Sequence, residues 1–259
     1  MRTFALINAL GSRWSLNDMD SFFHTMKGLG QGYDTSYTRI GNRFIQQKSS
    51  LSQKKITGKI RFRGYSDFSD FSAFIQHKPL TLVYGGFTPE NNEYLLDVVV
   101  KTLEKSELEN GGLQCNINFE SLGTYYKIMC AEGGSVITMH SDTVIGAGVR
   151  ICIQGPCVNP YYRHYLNSIE VCSGRFMCSI PTGHKMIIDT IKLSYEVKDY
   201  AEYDNDTDLY GTSDFSTKRF VSLGYGENVL EFFHDGSSAL NVKVEAKIEY
   251  ESLQLGFWG

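Results

Sequence analysis

The chain of 259 residues is long enough for one large domain or for two modest ones with separate cores, and we favour two. Its 42% hydrophobic and 21% charged residues exclude a disordered chain, and its net charge of −4 argues against sequence-specific nucleic-acid binding. It has no long apolar run, and its first residues turn polar too soon for a signal peptide, so we expect synthesis in the cytoplasm and no membrane insertion.

The chain has six cysteines, and no two of them are spaced as Cys-x-x-Cys, the commonest spacing of a zinc site. Because we expect no secretion, reduced thiols buried as small hydrophobic groups are favoured, and a redox or metal role is the alternative. We therefore expect no cofactor. The residues concerned are Cys115, Cys130, Cys152, Cys157, Cys172 and Cys178.

The first fifty residues contain many turn residues and predict short strands and loops. A glycine-rich stretch at residues 28–32 lacks the Lys-Ser/Thr of a phosphate loop, and its glycine spacing fits neither phosphate-binding fingerprint. It predicts a loop with positive φ angles.

Residues 56–63 alternate between apolar and polar side chains, which predicts a half-buried strand. Its outward side carries three cations in a row, Lys59, Arg61 and Arg63. Such a row forms either a solvated face or a contact with another subunit. We take these three residues as candidate subunit-interface residues.

An amphipathic helix is predicted over residues 65–78, followed by strands. Ser66 or Asp67 is expected to cap the helix, and Pro79 to stop it. Its apolar stripe consists of Phe68, Phe71, Phe74 and Ile75.

Strands are predicted next at residues 80–84, 93–105 and 113–119. A helix is the alternative for 93–105, but its β-branched valines favour a strand. The first part of the chain is therefore predicted as an α+β layer.

A domain junction is predicted near residues 131–134, which divides the chain into domains 1–130 and 131–259. Short strand patterns separated by turns recur after the junction and predict a β-sandwich. The last of them, residues 240–250, alternates Lys and Glu on its outer side, which is typical of a strand protected against edge pairing.

An acidic stretch at residues 199–208 has the alternating carboxylates of a calcium loop in Asp204, Asp206 and Asp208. The glycine and the closing glutamate of such a loop are missing at the required positions. An exposed acidic loop is favoured over an ion site.

Several segments follow one another in a characteristic order. In the first half they are residues 10–16, 28–30, 58–62, 68–75, 79–84, 100–107, 113–119 and 125–126. In the second half they are residues 153–160 and 220–228. In this order they resemble the distal tail protein family of long-tailed, siphovirus-type bacteriophages, a hub component of the tail and baseplate.

The resemblance implies a mainly β protein with an N-terminal α+β belt domain, a β-sandwich with one helix, and a C-terminal galectin-like β-sandwich. It implies a homo-hexameric ring at the distal end of the virion tail. The implied partners are the tail tube protein, a tail-tip or tail-associated lysozyme-type protein, and receptor-binding proteins. The chain lacks the added carbohydrate-binding modules of longer family members, which favours a connector.

An enzyme is not expected, because the six histidines are scattered singly and no Gly-x-Ser-x-Gly or His-Glu-x-x-His motif is present. A glycosidase with paired carboxylates was the enzyme considered, and the sequence places no such pair. The main alternative is a carbohydrate-binding, lectin-like module in residues 134–250. Trp258, the only Trp of the second half, lies in a terminal segment that favours docking over sugar stacking.

Overall fold

The structure is a computed structural model that describes residues 3–85, 93–109, 111–190, 196–201, 206–208, 210–212, 221–251 and 253. The chain forms two compact units: unit 1 is Met1–Tyr126 with Tyr250–Gly259, and unit 2 is Lys127–Glu249. No helix among the described residues is long and apolar enough to cross a membrane. The domain division at residue 130 stays a prediction.

Unit 1 is mostly β-structure with one helix in its described part. Its strands are β1 (Thr3–Ile7), β2 (Arg13–Ser15), β3 (Ser21–Lys27), β4 (Tyr33–Ile40), β5 (Arg43–Leu51), β6 (Lys55–Phe62), β7 (Leu80–Gly85), β8 (Glu93–Glu104), β9 (Leu108–Glu109) and β10 (Gly112–Ser121). Helix α1 (Tyr65–Phe74) follows β6.

The strands of unit 1 form two antiparallel layers that share β8. One layer has the order β2–β1–β7–β8, and the other has the order β3–β6–β10–β8. The first half of β8 pairs with β7 and its second half with β10. Aromatic rings fill the core: Phe23 meets Phe4 edge-on at 5.7 Å and Phe119 at 6.1 Å between ring centroids. The predicted mainly β fold class, a β-sandwich with one helix, is confirmed.

The strands predicted after the helix are confirmed as β7, β8 and β10. The helix alternative for 93–105 is wrong. Val98 shows why, since it pairs with Leu80 of β7 and with Ser121 of β10. A β-branched residue fits such a position between two strands.

Helix α1 is shorter than predicted and is capped differently. It ends at Phe74, because the next amides bond three residues back, His77 N to Phe74 O at 3.3 Å. Its N-cap is Gly64, so the predicted caps are wrong; Asp67 lies one turn inside and accepts from Gly64 N at 3.1 Å. Phe71 is its buried anchor and packs on Phe62, with ring centroids 5.2 Å apart.

A long hairpin in the first fifty residues departs from the prediction of short strands. Strands β4 and β5 have 8 and 9 residues and pair with each other from Tyr33↔Leu51 to Ile40↔Arg43. Among the described strands they form a two-stranded sheet of their own. The two strands lie largely in solvent on both faces, so they show no burial alternation.

Unit 2 is a β-sandwich. Its strands are β11 (Tyr125–Gly133), which begins in unit 1, β12 (Val136–Ser141), β13 (Ala147–Gln154), β14 (Cys157–Val158), β15 (Tyr161–Leu166), β16 (Ile169–Arg175), β17 (Ser179–Ile180), β18 (His184–Asp189), β19 (Glu196–Ala201), β20 (Asp206–Asp208), β21 (Ser222–Leu223), β22 (Gly226–Phe233) and β23 (Asn241–Tyr250). A 3-10 turn spans Tyr210–Thr212. One sheet has the order β11–β23–β13–β18–β19–β20, with β21 on β13, and the other has the order β12–β22–β15–β16.

Strand β23 shows the predicted alternation but not the predicted position. Val242, Val244, Ala246 and Ile248 are buried, as predicted. However, β23 lies between β11 and β13, so its outer Lys and Glu residues do not protect an edge, and that interpretation is wrong.

None of the six cysteines, all of them within the described residues, forms a disulfide bond. Cys115, Cys157 and Cys172 are buried, as predicted. Cys130 is exposed on β11, so the prediction of a core thiol is wrong for it.

Candidate assembly surfaces

The cationic row predicted from the sequence lies on the outer side of the β3–β6–β10 layer. Lys59 stands opposite His24 of β3 and Asn116 of β10. Arg61 occupies the next outward position of β6, and Arg63 follows the end of the strand. With Lys27 of β3, which stands opposite Thr57, these residues form what we call the cationic face: His24, Lys27, Lys59, Arg61 and Arg63.

The cationic face carries two lysines, two arginines and one histidine. Partial burial lowers the pKa of His24, and the charges of Lys59 and Arg61 lower it further. The Arg63 guanidinium lies 3.9 Å from Asp20, but its side chain is 78% exposed, so this pair contributes little. The role of Lys59, Arg61 and Arg63 as interface residues stays a prediction.

A shallow groove of about 420 Å³ runs along this face. Its lining residues are Thr25, Lys27, Thr57, Gly58, Lys59, Thr102, Asn116, Ile117 and Asn118. Gly58 is required here, since a Cβ atom would lie 2.4 Å from the ring of Phe23. The Oδ1 atom of Asn118 is buried and accepts no hydrogen bond within the described part of the chain.

The β4–β5 hairpin is the second candidate surface, and no functional role was predicted for it. Its exposed fractions are 57% for Tyr37, 62% for Ile40, 71% for Phe44 and 50% for Ile45. The register places Tyr37 and Phe44 on one face, and Ile40 and Ile45 on the other. The sequence does contain a signal for it, because Gly-Asn is a two-residue hairpin turn, and Gly41 has φ +61°.

The base of the hairpin is held by the glycine-rich stretch. Gly28 has the predicted positive φ, +86°, and a Cβ atom there would lie 1.8 Å from the Lys55 carbonyl oxygen. Buried Lys54 donates from Nζ to the carbonyl oxygens of Gly30 at 3.1 Å and Glu251 at 3.3 Å. Its burial lowers the pKa of the ammonium group. The hairpin therefore projects from a well-anchored base.

Unit 2 presents an aromatic groove of about 480 Å³ beside β15 and β22. The rings of Tyr161 and Phe233 stack there, with centroids 4.8 Å apart and 15° between their planes. The Arg175 guanidinium lies 5.1 Å from the Tyr161 ring centroid and also bonds Asp235 at 2.8 Å. We call this surface the aromatic groove.

Two sequence-based candidates lie wholly or partly outside the described residues. Asp204 of the acidic stretch and Trp258 are outside them, and the side chains of Asp206 and Asp208 are not described. Within the described ranges, no group of three or more His, Cys, Asp or Glu residues is arranged to hold a metal ion.

Residues 3–122 match the family described as distal tail protein, N-terminal domain. Through these residues, nearly half of its length, the chain resembles the distal tail protein family of phages. It is therefore a structural component of the distal end of a phage tail. The family assignment from the ordered segments is confirmed.

Solved structures share the fold of this chain over nearly its whole length. A chain of the phage P2 baseplate in its activated conformation with Ca is 14% identical, with a TM-score of 0.67, covering 97% of this chain and 99% of that one. The SPP1 Dit protein is 9% identical, with a TM-score of 0.66, covering 95% and 99%. No curated protein sequence matches the chain significantly.

Proposed function

We propose that this distal tail protein closes into a homo-hexameric ring, the hub that joins the tail tube to the tip or baseplate proteins. The observation that carries the proposal is the β4–β5 hairpin, which exposes large apolar side chains on both faces. Unit 1 would then build the ring, and unit 2, as a galectin-like sandwich, would decorate it. The proposed partners are the tail tube protein, a tail-tip or lysozyme-type protein and receptor-binding proteins.

An isolated hairpin needs contacts beyond its own two strands to be stable. Two strands alone are at best marginally stable in water, and exposed apolar pairs on both faces invite association. A neighbouring subunit that covers both faces would remove Tyr37, Ile40, Phe44 and Ile45 from water. A contact between two different surfaces of identical subunits forms a closed ring when its rotation closes.

The relatives' printed titles support the hub role. The SPP1 protein is described as a paradigm of the hub adsorption apparatus of phages that infect Gram-positive hosts, and the P2 chain belongs to a baseplate. We keep Lys59, Arg61 and Arg63 as proposed contacts between subunits of this assembly. We propose no catalytic role, since the family is structural.

Mass photometry of the full-length protein tests the ring. We expect particles of six times the mass of one chain, and loss of these particles in the Phe44→Ser/Ile45→Ser variant. The matched control, Ile169→Ser/Val171→Ser, removes two exposed apolar residues of unit 2 and keeps the hexamer. A strictly monomeric wild-type protein at micromolar concentration contradicts the proposed ring.

A lectin-like role for unit 2 is the second candidate, and the aromatic groove is the observation that favours it. Stacked rings bordered by hydrogen-bonding side chains suit the apolar face of a sugar. A glycan array probed with the full-length protein tests this role. Binding lost in Tyr161→Ala and kept in Tyr225→Ala, an exposed tyrosine of unit 2, supports it, and an array without specific binding rejects it.

A further inference from the structure

One face of the β4–β5 hairpin carries a row of large side chains from its base to its turn. Tyr33 and Leu51 stand opposite each other at the base, Tyr37 follows along β4, and Phe44 lies near the turn. The register places all four on the same face, and we call them the hairpin row. Leu51 is half-buried, whereas Tyr33, Tyr37 and Phe44 are 47%, 57% and 71% exposed. A contiguous row of exposed apolar side chains is typical of a surface that another segment covers.

The chain returns to the foot of the hairpin row after strand β23. The Glu251 carboxylate accepts a hydrogen bond from the Tyr33 hydroxyl at 2.9 Å, and the Glu251 carbonyl oxygen accepts one from Lys54 Nζ at 3.3 Å. Both contacts hold Glu251 within unit 1, to which the residues that follow also belong. Residues 252–258 therefore start beside Tyr33.

Residues 252–258 have the sequence pattern of an extended segment with one apolar side. Leu253, Leu255 and Phe257 alternate with serine, glutamine and glycine, and no residue of the segment is charged. In an extended chain, alternate side chains point to the same side. The structure describes Leu253 of this segment and shows it half-buried. The segment thus offers three apolar side chains in a line.

The reach of this segment equals the length of the hairpin row. An extended chain rises about 3.3 Å per residue, so Phe257 can lie about 20 Å from Glu251. Arg39, which pairs with Phe44, follows Tyr33 along β4 at a similar distance of about 20 Å. Both distances start at the same place, because Glu251 bonds Tyr33. The extended segment therefore spans the row from its base to Phe44.

We propose that residues 252–258 pack in extended form along the hairpin row of the same chain. The packing removes apolar surface of both partners from water, which stabilises a hairpin that is marginally stable as two strands alone. Since Glu251 tethers the segment at the foot of the row, its effective concentration there is on the order of millimolar, above that of a separate chain. In the ring, a neighbouring subunit would meet this segment on one face and would contact Ile40 and Ile45 directly on the other. The packing itself does not depend on the ring.

Disulfide formation in the full-length protein tests the proposal. A disulfide requires two Cα atoms within about 7 Å, so Phe44→Cys/Phe257→Cys should form one within a single chain on mild oxidation. The matched control is Ile45→Cys/Phe257→Cys, because Ile45 lies next to Phe44 but on the opposite face. We expect at least about fivefold less disulfide in the control. Both variants also carry Cys130→Ser, which removes the exposed native thiol.

Hydrogen exchange measured by mass spectrometry tests the effect on the hairpin. Leu255→Ser/Phe257→Ser should speed the exchange of the amides of residues 33–51 at least about threefold, because an uncovered hairpin opens more often. Ile169→Ser/Val171→Ser, which removes two exposed apolar side chains of unit 2, should leave this exchange unchanged.

Three results overturn the proposal: equal disulfide yields with Phe44→Cys and Ile45→Cys, unchanged hairpin exchange in Leu255→Ser/Phe257→Ser, or disulfides between chains when the single variants Phe44→Cys and Phe257→Cys are mixed. The last result would assign the covering segment to a second copy. Mass photometry of the same samples separates this proposal from the ring. A disulfide within one chain of a monomeric protein refutes the ring and retains the packing.

Discussion

Acidification should destabilise unit 2 through His164, a buried histidine held in one tautomer. The Asn228 side chain accepts from Gly224 N at 3.0 Å and donates to the carbonyl oxygens of Gly224 and Gly226 at 2.9 and 3.0 Å. Its Oδ1 atom is thereby oriented toward His164 Nε2, 3.0 Å away, so Nε2 must be the donor. The other ring nitrogen, Nδ1, is buried without a hydrogen-bond partner among the described residues.

Burial lowers the pKa of His164 below its usual 6.5, and the hydrogen bond to Asn228 opposes this only in part. The unfolded chain therefore binds a proton below pH 6.5 that the folded chain resists. The stability that neutral His164 contributes is fully present above pH 6.5 and is lost as the pH falls toward the pKa of His164 in the folded chain. One proton corresponds to a slope of up to about 1.4 kcal/mol per pH unit.

The perturbation is His164→Gln, because the glutamine amide can still donate to Asn228 but does not titrate. Urea unfolding of both proteins from about pH 7.5 to pH 5 gives the difference in the free energy of unfolding at each pH. Relative to the variant, the wild type should lose stability only below about pH 6.5. A difference that stays flat, or that has the opposite sign, refutes the reasoning; His140→Gln, at an exposed position, is the flat control.

Three further changes test packing and anchoring by urea or thermal unfolding. Gly28→Ala should cost more than about 1 kcal/mol, because of the positive φ and the close Lys55 carbonyl, whereas Gly30→Ala, with open space around it, should have little effect. Lys54→Met should cost about 1–3 kcal/mol by leaving two carbonyl oxygens unpaired. Phe71→Ala should cost about 3–5 kcal/mol, and Met19→Ala, at an exposed position of the same unit, within about 0.5 kcal/mol. Equal effects of the two glycine substitutions would contradict the strained backbone at Gly28. Equal effects of the buried and the exposed side-chain substitutions would contradict the core position of Phe71.

The sequence predicts well those elements whose two sides differ in burial. In β10, Leu113, Cys115 and Ile117 enter the core while their neighbours face outward, so alternation reveals the strand. Alternation did not reveal β4 and β5, because both faces of these strands lie in water and their residues show no alternating burial. Only the Gly41 turn marks that hairpin locally.

Some residues of the candidate surfaces could likewise be predicted from the sequence, and others could not. The cationic row was visible because β6 is amphipathic, but His24 and Lys27 reach the face only through pairing of distant strands. The anchoring role of Lys54 could not be predicted from the sequence, since it depends on Glu251, which is 197 residues away along the chain. Contacts between residues so far apart along the chain can be recognised only once the fold is known.

The path of the chain has a consequence for synthesis. It leaves unit 1 after Tyr126 and returns to it at Tyr250, so unit 1 lacks this returning segment until unit 2 has been translated. That segment supplies the Glu251 carbonyl for Lys54, and its carboxylate accepts from the Tyr33 hydroxyl at 2.9 Å, at the start of the hairpin. The hairpin base is thus completed only after unit 2 has been translated.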